Sequence, residues 1–313
     1  MFKIAKTLRV FGLSFILGVN NCWAVKRYVE PEEWIEIAAT KLEVDHIQFS
    51  FDILDPRTEE SALNQIASRT LDCCVDYGIK IHSCFTGLAA YSYNLLLHPD
   101  FAMRRDAVDW YEKALILAAK LKAEAVGGHI GAFSVRDFGD ERKKAFLTSN
   151  LIETLIHLSS VGKELGLKYL LWEPMPISRE PPSTIEESKR LLSQVNEKSC
   201  IPVKLCIDVG HMCNPEVKSA RDLDPYLWLK ELGRDAPCIH LQQTDGKADR
   251  HWPFTERYNK MGIIKGDEII SALMEGGSKI TYLFLEVIHP FEYPEKKVIE
   301  ELKKSVDYWK SYL

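Results

Sequence analysis

The sequence lacks the features that mark several common protein classes. None of its 313 residues belongs to an apolar run of the ~18 residues that a membrane-spanning helix needs. Its eight cysteines form no Cys-x-x-Cys pair, and Cys84, Cys206 and Cys238 lie inside apolar runs. Buried free thiols in a reduced, cytoplasmic protein fit this pattern better than a disulfide framework or a thiolate zinc site.

Positive charge is also in short supply. The 40 Lys and Arg residues face 45 Asp and Glu, which gives a net charge of -5. This balance argues against a partner held by bulk electrostatics, so no nucleic acid and no membrane surface is expected. The chain also has no repeat, no low-complexity tract and no Pro/Gly-rich linker. We therefore predict one domain over residues 1–313.

What the sequence does contain is an alternation of two periodicities. Amphipathic stretches with helical spacing separate short apolar runs, and near-continuous apolar strands are typical of a parallel sheet covered by helices. Eight such units predict an α/β protein that closes into a (β/α)8 TIM barrel, an eight-stranded parallel barrel ringed by helices. A doubly wound open sheet is the alternative, but the Gly-rich dinucleotide-binding motif typical of such sheets does not follow the first strand. The predicted strands span residues 10–19, 46–51, 79–85, 125–130, 168–172, 203–207, 238–241 and 280–287.

The N-terminal segment allows two interpretations. Lys3, Lys6 and Arg9 precede the apolar run at 10–19, and 22–24 resembles a cleavage site, so the segment looks like a short signal peptide. The other interpretation is a first barrel strand with a few leading residues. We favour the strand, because the barrel would otherwise lack its first one.

Metal-competent side chains stand at the carboxyl ends of four consecutive predicted strands. Glu173, Asp208, His240 and Glu286 follow or close these apolar runs. In a barrel these ends are neighbours on the face where active sites form. Three converging carboxylates would repel one another without a cation, so the pattern predicts a metal site. Its oxygen-rich set suits Mn, Mg or Co, with Zn possible.

Each of these residues has a structural explanation when taken alone. A single strand-end Glu is more often a salt-bridge partner, and a single His beside an apolar run is usually a core residue. The four residues on consecutive strands, taken together, favour a metal site. His82 and His129, near the ends of the third and fourth strands, are equally compatible with a structural and a substrate-facing role. His289, next to a proline, is expected in a surface loop.

At this point the residues resemble the xylose-isomerase-like TIM barrel superfamily. The matching motifs are Trp172-Glu173-Pro174, the Asp-x-x-His element from Asp208 to His211, Ile239-His240-Leu241 and Leu285-Glu286. The superfamily includes ketose 3-epimerases, hydroxypyruvate isomerase and type-IV apurinic endonucleases. Residues 20–27, 48–52 and 240–245 look more narrowly like the erythrulose-phosphate epimerase group.

The resemblance implies residue roles. Glu173, Asp208, His240 and Glu286 would bind the metal, with Glu173 and Glu286 as the catalytic acid and base. His211 and Arg250 would contact substrate oxygens. Arg250 lies within Asp249-Arg250-His251, where the alignment of the loop is open. The resemblance also implies a second, acidic substrate contact shortly after the fifth predicted strand. Both Arg179 and Glu180 fall near that position.

These roles predict a metal-dependent isomerase of a sugar or sugar phosphate, acting through an enediolate that the metal stabilises. The best match is a ketose 3-epimerase for a tetrulose phosphate, and a homo-oligomer is possible. For a phosphate, candidate binding groups are Lys247, Arg250, Lys265 and Gly276-Gly277, or Lys26 and Arg27 after the first strand.

The alternative function is a phosphodiesterase of the apurinic-endonuclease type with three zinc ions. The residues His82, His129, Glu173, Asp208, His211, His240, Asp249, His251 and Glu286 match that set in order and type. A non-catalytic sugar-binding barrel is disfavoured, because all four predicted ligands are present.

Overall fold

The structure, a computed structural model, describes residues 8–10 and 13–313. Lys3 and Lys6 of the signal-like segment lie outside the described residues. Within the described part, nine strands form one sheet in sequential order. They are β1 Leu8–Val10, β2 Leu13–Asn20, β3 His46–Ser50, β4 Lys80–Phe85, β5 Ala125–Gly128, β6 Tyr169–Trp172, β7 Val203–Asp208, β8 Cys238–Leu241 and β9 Ile280–Leu285.

The sheet closes on itself between β2 and β9. These strands pair in parallel from Ser14 beside Ile280 to Val19 beside Leu285, so β2 to β9 form a closed eight-stranded parallel barrel. The predicted TIM barrel is confirmed. The predicted first strand at 10–19 is divided, because β1 pairs antiparallel with the start of β2. Residues 11 and 12 lie outside the described part of the chain.

Helices surround the barrel, and local signals set their bounds. The long helix α2 starts after Glu59, whose carboxylate accepts from the Ser61 and Ala62 amides, and ends at Gly78 with a φ of 68°. The helices are α1 Pro31–Glu36, α2 Glu60–Tyr77, α3 Leu88–Tyr91, α4 Phe101–Lys120, α5 Val135–Phe138, α6 Glu141–Glu164, α7 Ile185–Asn196, α8 Pro225–Leu232, α9 Glu256–Met261, α10 Gly266–Glu275 and α11 Glu295–Lys310. A π-helical segment, Ile37–Leu42, continues α1.

The helix after β6, α7, begins with a pair of reciprocal capping contacts. Thr184 caps α7 by accepting from the Glu187 amide at 3.2 Å, and the Glu187 carboxylate accepts from the Ser183 amide at 2.9 Å. This reciprocal pair stabilises the first turn. It fixes the start of α7 within the segment that follows β6.

The two-residue period of the strands arranges the barrel interior in layers. Leu171 and Phe284 belong to a buried cluster inside the barrel, together with Phe85, Ala125, Cys206 and Cys238. Two residues further along each strand the same face presents Glu173 and Glu286. The apolar layer therefore supports a polar layer at the carboxyl mouth. The larger apolar core lies between the strands and the surrounding helices.

Two expectations from composition can be compared with the structure. All eight cysteines are free thiols; Cys84, Cys206 and Cys238 are buried, as predicted, whereas Cys200 is exposed. Among the described residues, no helix is both long and apolar enough to cross a membrane.

Candidate active site at the carboxyl mouth

Four buried side chains from neighbouring strands meet at the carboxyl mouth of the barrel. Glu173, Asp208, His240 and Glu286 each place a ligand-type atom within 4.8 Å of the others. The His240 Nδ1 atom lies 3.1 Å from a Glu173 oxygen and 3.0 Å from a Glu286 oxygen. The closest Asp208 oxygen is 3.9 Å from the same nitrogen. The structure thus brings together the four residues that the sequence marked as metal ligands.

A glutamine from β3 orients the histidine of this group. The His240 Nε2 atom lies 2.6 Å from the Gln48 side-chain oxygen, and that oxygen also accepts from the Asn20 amide at 2.9 Å. With Nε2 donating to Gln48, the neutral ring directs the Nδ1 lone pair at the carboxylates. Such an arrangement is repulsive unless a proton or a cation lies between the nitrogen and the oxygens. Metal-bound histidines are oriented by an outer hydrogen bond of this kind.

The Asp208 carboxylate is held on one side and unpaired on the other. Its Oδ1 accepts from the Gly210 amide at 2.6 Å and from the Gln242 amide at 2.9 Å. Gly210 permits this contact, because a Cβ there would lie 2.2 Å from the Gln242 side chain. The buried Oδ2 has no hydrogen-bond partner among the described residues. Burial raises the pKa of Asp208 to about 6.

These observations fit a divalent cation. An unpaired buried carboxylate oxygen, two further carboxylates and an imidazole nitrogen converge on one point, which matches an oxygen-rich metal site. Burial alone would lower the pKa of His240, but the charges of Glu286 and Glu173 raise it well above its usual value. A proton on His240 would thus take up the negative charge that a metal ion otherwise balances.

A second polar group adjoins the first through Asp208. Ligand-type atoms of Asp208, His211 and His251 also lie within 4.8 Å of one another. The Asp249 carboxylate joins them, at 3.5 Å from the His211 Nε2 atom and 3.1 Å from the His251 Nε2 atom. The Pro174 carbonyl orients His211 through its Nδ1 atom at 2.8 Å. The nearby negative charges, Asp249 foremost, raise the pKa of His251 to about 10 against the opposing effect of burial.

A cavity of about 430 Å³ opens above both groups. This volume suits a small metabolite. The walls include Glu173, His211, Asp249, Arg250 and Glu286, along with Asn20, Cys22, Trp23, Arg27, Asp52, Tyr91, His129, His251, His289 and Phe291. Arg250 is paired with Asp245 through two bonds of 3.1 and 3.0 Å.

His129 lies in the wall of this cavity, as a substrate-facing role requires. Burial lowers its pKa to about 4. Its Nδ1 atom lies 3.8 Å from a Glu180 oxygen. Burial also raises the pKa of Glu180 to about 7. Of the two candidates after β6, Arg179 and Glu180, it is therefore Glu180 that approaches the wall residues.

The structure does not bring His82 to this cavity. His82 is the third residue of β4, three positions before the strand end at Phe85. It stacks on Tyr282 with a centroid distance of 3.8 Å, and the Tyr169 hydroxyl lies 2.7 Å from its Nε2 atom. Both tyrosines lie at the amino-terminal end of the barrel interior. A register shift between β3 and β4 moves His82 off the simple alternation of the strand.

Several side chains at the mouth carry no metal-ligand signature and were not singled out from the sequence. The buried amides of Asn20, Gln48 and Gln242 orient Glu286, His240 and Asp208 respectively. Asn20 ends β2 and Gln242 directly follows β8, and for these two that position was the available signal, whereas Gln48 lies in the middle of β3. His289, expected in a surface loop, is only 7 % exposed and lines the cavity. Glu301 holds it at 2.9 Å, a contact that local sequence does not reveal.

Fold and site together define a TIM barrel with a carboxylate–imidazole centre at its carboxyl mouth. The chain belongs to the xylose isomerase-like TIM barrel family, whose model matches residues 33–311.

Individual relatives agree with this assignment. The chain is 28% identical over 306 residues to the D-erythrulose 1-phosphate 3-epimerase of Brucella abortus (strain 2308), covering 96% of this chain and 97% of the relative. A xylose isomerase-type protein from Rhodospirillum rubrum superposes with a TM-score of 0.89 at 28% identity, covering 95% and 99% of the two chains. The D-psicose 3-epimerase of Clostridium cellulolyticum H10 has the same fold, with a TM-score of 0.71, 18% identity and coverage of 95% and 99%. The comparisons confirm the predicted enzyme class, isomerase.

Proposed function

We propose that the chain is a metal-dependent ketose 3-epimerase whose best substrate is a tetrulose phosphate. The observation that carries this proposal is the approach of two carboxylates, Glu173 and Glu286, to one histidine nitrogen at the floor of the cavity. The similarity to a D-erythrulose 1-phosphate 3-epimerase supports the choice of substrate.

The position of the two glutamates suits proton transfer from two sides. Glu173 follows β6 and Glu286 follows β9, so two barrel strands lie between them in the order of the sheet. A substrate carbon on the cavity floor would have one carboxylate on each face. Removal of the C3 proton by one glutamate gives an enediolate, and return of a proton by the other inverts C3. Return to the neighbouring carbon would give isomerisation instead.

The surrounding residues prepare these two groups. Asn20 donates to one Glu286 oxygen at 3.0 Å and leaves the other facing His240. Burial would raise the pKa of Glu286, but the charges of His240 and His251 lower it to about 2. Glu286 is thus ionised in the metal-free chain. A divalent cation, when bound by the four ligands, would polarise the substrate carbonyl as a Lewis acid. Trp23 and Phe291 in the wall restrict water.

Solvent deuterium incorporation tests the proposal. The purified protein with added Mn²⁺ is incubated in deuterated water with tetrose, pentose and hexose ketoses and their 1- and 4-phosphates. Deuterium at C3, with the C3 epimer as product, is the expected result. Deuterium at C1 or C2 with an aldose product would assign the chain to aldose–ketose isomerases. No exchange with any member of the panel would refute the proposal.

The second candidate function, phosphodiester hydrolysis with three zinc ions, draws support from the adjoining group of His211, Asp249 and His251. The position of His82 opposes it, because that residue lies at the other end of the barrel from the remaining proposed ligands. Metal analysis of the full chain separates the two functions. About three zinc ions per chain, together with cleavage of an abasic-site DNA, would favour hydrolysis.

A further inference from the structure

Four residues of the cavity wall have a buried nitrogen atom without a hydrogen-bond partner among residues 8–10 and 13–313: Trp23, Arg27, His129 and His289. Two of these atoms, the Arg27 Nε atom and the His289 Nδ1 atom, belong to neighbouring side chains, since the Arg27 Nη2 atom also contacts the His289 carbonyl at 3.5 Å. Both residues line the same cavity as the metal-type group. Leaving buried polar atoms unpaired costs free energy, so two of them in one wall of a ligand-sized cavity point to a missing polar ligand.

These two residues lie at the outer end of a seam between the loops that follow β2 and β9. At the floor, the Asn20 amide donates to Glu286 at 3.0 Å. One step outward, the Cys22 thiol lies 3.8 Å from the Val287 carbonyl oxygen. Further out, the Arg27 Nη2 atom donates to the Pro290 carbonyl at 2.6 Å. A ligand that starts at Glu286 and extends along this seam therefore ends beside Arg27 and His289.

The chemistry of this outer end suits an anion. Arg27 is a permanent cation, and its Nη2 atom is anchored on the loop carbonyl, so the orientation of the guanidinium is fixed. The His289 Nε2 atom lies 2.9 Å from Glu301, which in turn accepts from the Tyr293 hydroxyl at 2.9 Å. This anchoring leaves Nδ1 as the nitrogen available to a ligand, and Nδ1 donates to an anion when the ring is protonated. Burial, with a smaller contribution from the charge of Arg27, lowers the pKa of His289. An anion between the two residues would offset both effects.

Three of the other candidate phosphate-binding groups are less suitable. Arg250 already pairs with Asp245 through two nitrogens. The Lys265 ammonium contacts the Asn259 and Gly262 carbonyls and is not part of the cavity wall. Gly276-Gly277 precedes β9 and so lies at the opposite mouth. The acidic wall residue Asp52 is satisfied, because its oxygens accept from the Leu88 and Ala89 amides at 2.7 and 3.1 Å.

We propose that Arg27 and His289 form the subsite for the terminal phosphate of the ketose substrate. This inference rests on the proposed function and specifies how a sugar phosphate is distinguished from a free sugar. The reacting carbon lies at the floor beside Glu173 and Glu286, and the phosphate reaches the Arg27–His289 subsite. A free ketose of the same length binds the floor and leaves the two nitrogens unpaired.

The first test measures phosphate binding without turnover. Inorganic phosphate is titrated calorimetrically into the full chain, both with bound Mn²⁺ and after treatment with EDTA, so that phosphate on the metal is separated from phosphate on Arg27. Arg27→Gln is expected to weaken binding to the metal-free protein by about tenfold to a hundredfold. Lys265→Gln is the matched control, because the Lys265 ammonium contacts main-chain carbonyls and does not line the cavity. It should change binding by less than about twofold.

A second variant keeps the result interpretable if Arg27→Gln disturbs the loop that Arg27 anchors. In His289→Gln the amide nitrogen can replace Nε2 and retain the contact with Glu301, while the group at Nδ1 is lost. Phosphate binding should weaken several-fold with an unchanged melting temperature. Wild-type phosphate affinity in both variants, or no phosphate binding to the wild-type chain, would overturn the subsite.

Kinetics separate failure of the subsite from failure of the proposed function. With a ketose phosphate, Arg27→Gln should raise KM about tenfold or more, while kcat/KM for the free ketose stays within about twofold. If Arg27→Gln slows both substrates equally, the phosphate subsite is wrong and the epimerase activity stands. If neither substrate reacts with the wild-type protein but Arg27→Gln abolishes phosphate binding, the proposed function is wrong and the anion subsite stands.

Discussion

The two ends of the barrel interior each contain a buried histidine, and their surroundings differ completely. His240, at the carboxyl mouth, faces Glu173 and Glu286 across about 3 Å. His82, towards the amino-terminal end, stacks on Tyr282 and approaches the Tyr169 hydroxyl and the Cys238 thiol. Each ring has partners for both nitrogens, but only the partners of His240 concentrate negative charge. Burial of a histidine therefore says little about function; the charge of its neighbours and access to a cavity decide it.

The largest effect should come from removing a proton acceptor at the carboxyl mouth. Glu286→Gln keeps the shape of the side chain and the contact with Asn20 but loses the base. We expect C3 deuterium exchange to fall by about a thousandfold or more. Glu173→Gln should behave similarly, with far-ultraviolet circular dichroism unchanged in both. Glu124→Gln, at the far end of the barrel beside Lys168, is the matched control and should retain full exchange. Rapid exchange in Glu286→Gln would contradict the catalytic role that distinguishes the carboxyl mouth from the amino-terminal end of the barrel.

The next effect concerns the amide that orients His240. Gln48→Leu removes the acceptor for the His240 Nε2 atom, so the ring is no longer held toward the carboxylates. Metal affinity should fall by about tenfold to a hundredfold, as measured by competition with a chromophoric chelator. Gln243→Leu is the control, because this equally buried amide bonds to Asn259 and to the Ile264 carbonyl instead. It should lower the melting temperature and leave metal affinity unchanged. Equal metal affinity in Gln48→Leu and the wild-type chain would contradict the role given to Gln48.

At the other end, replacement of His82 should affect stability and not chemistry. His82→Phe preserves stacking on Tyr282 but leaves the Tyr169 hydroxyl and the Ser83 hydroxyl without this partner. The free energy of unfolding in urea should fall by about 1–3 kcal/mol. The exchange rate per folded molecule should stay within about twofold of the wild-type rate. Loss of exchange in a folded His82→Phe protein would show that the amino-terminal histidine also serves the reaction.

The smallest effect is a pH dependence at the carboxyl mouth. Burial raises the pKa of Glu180 to about 7 in the folded chain. The carboxyl group therefore favours the folded state fully below its unfolded pKa of about 4.3. That contribution disappears as the pH rises through 7. Glu180→Gln should gain about 1 kcal/mol relative to the wild-type chain between pH 6 and pH 8. Thermal melts at both pH values measure this difference. If the stability difference between Glu180→Gln and the wild-type chain is the same at both pH values, Glu180 is ionised over the whole range.

Sequence periodicity was sufficient to predict the barrel and the convergence of its four strand-end residues. Apolar runs of strand length define which residues close each strand, and the closed parallel topology then brings Glu173, Asp208, His240 and Glu286 to one mouth. Whether these four hold a metal stays a prediction. The division of the first predicted strand rests on the antiparallel pairing of β1 with β2, which the apolar content of 10–19 does not reveal.

The position of His82 and the burial of His289 required information beyond local sequence. His82 lies three residues before the end of β4, which keeps it from the carboxyl mouth, and the register shift between β3 and β4 decides which face of the sheet it presents. His289 lies in a loop, as expected from the proline that follows it, but it is buried, because Glu301 in α11 and Tyr293 hold it against the cavity. Both outcomes depend on pairing between segments that are distant in the chain.

The contact between Asn20 and Glu286 joins residues 266 positions apart. Asn20 ends the first barrel strand, and Glu286 directly follows the last. A folding intermediate with seven strands assembled would have most of its secondary structure but no fixed orientation for this glutamate. Recovery of enzymatic turnover during refolding should consequently lag behind recovery of helical content, because turnover requires the pairing of β2 with β9 that closes the barrel.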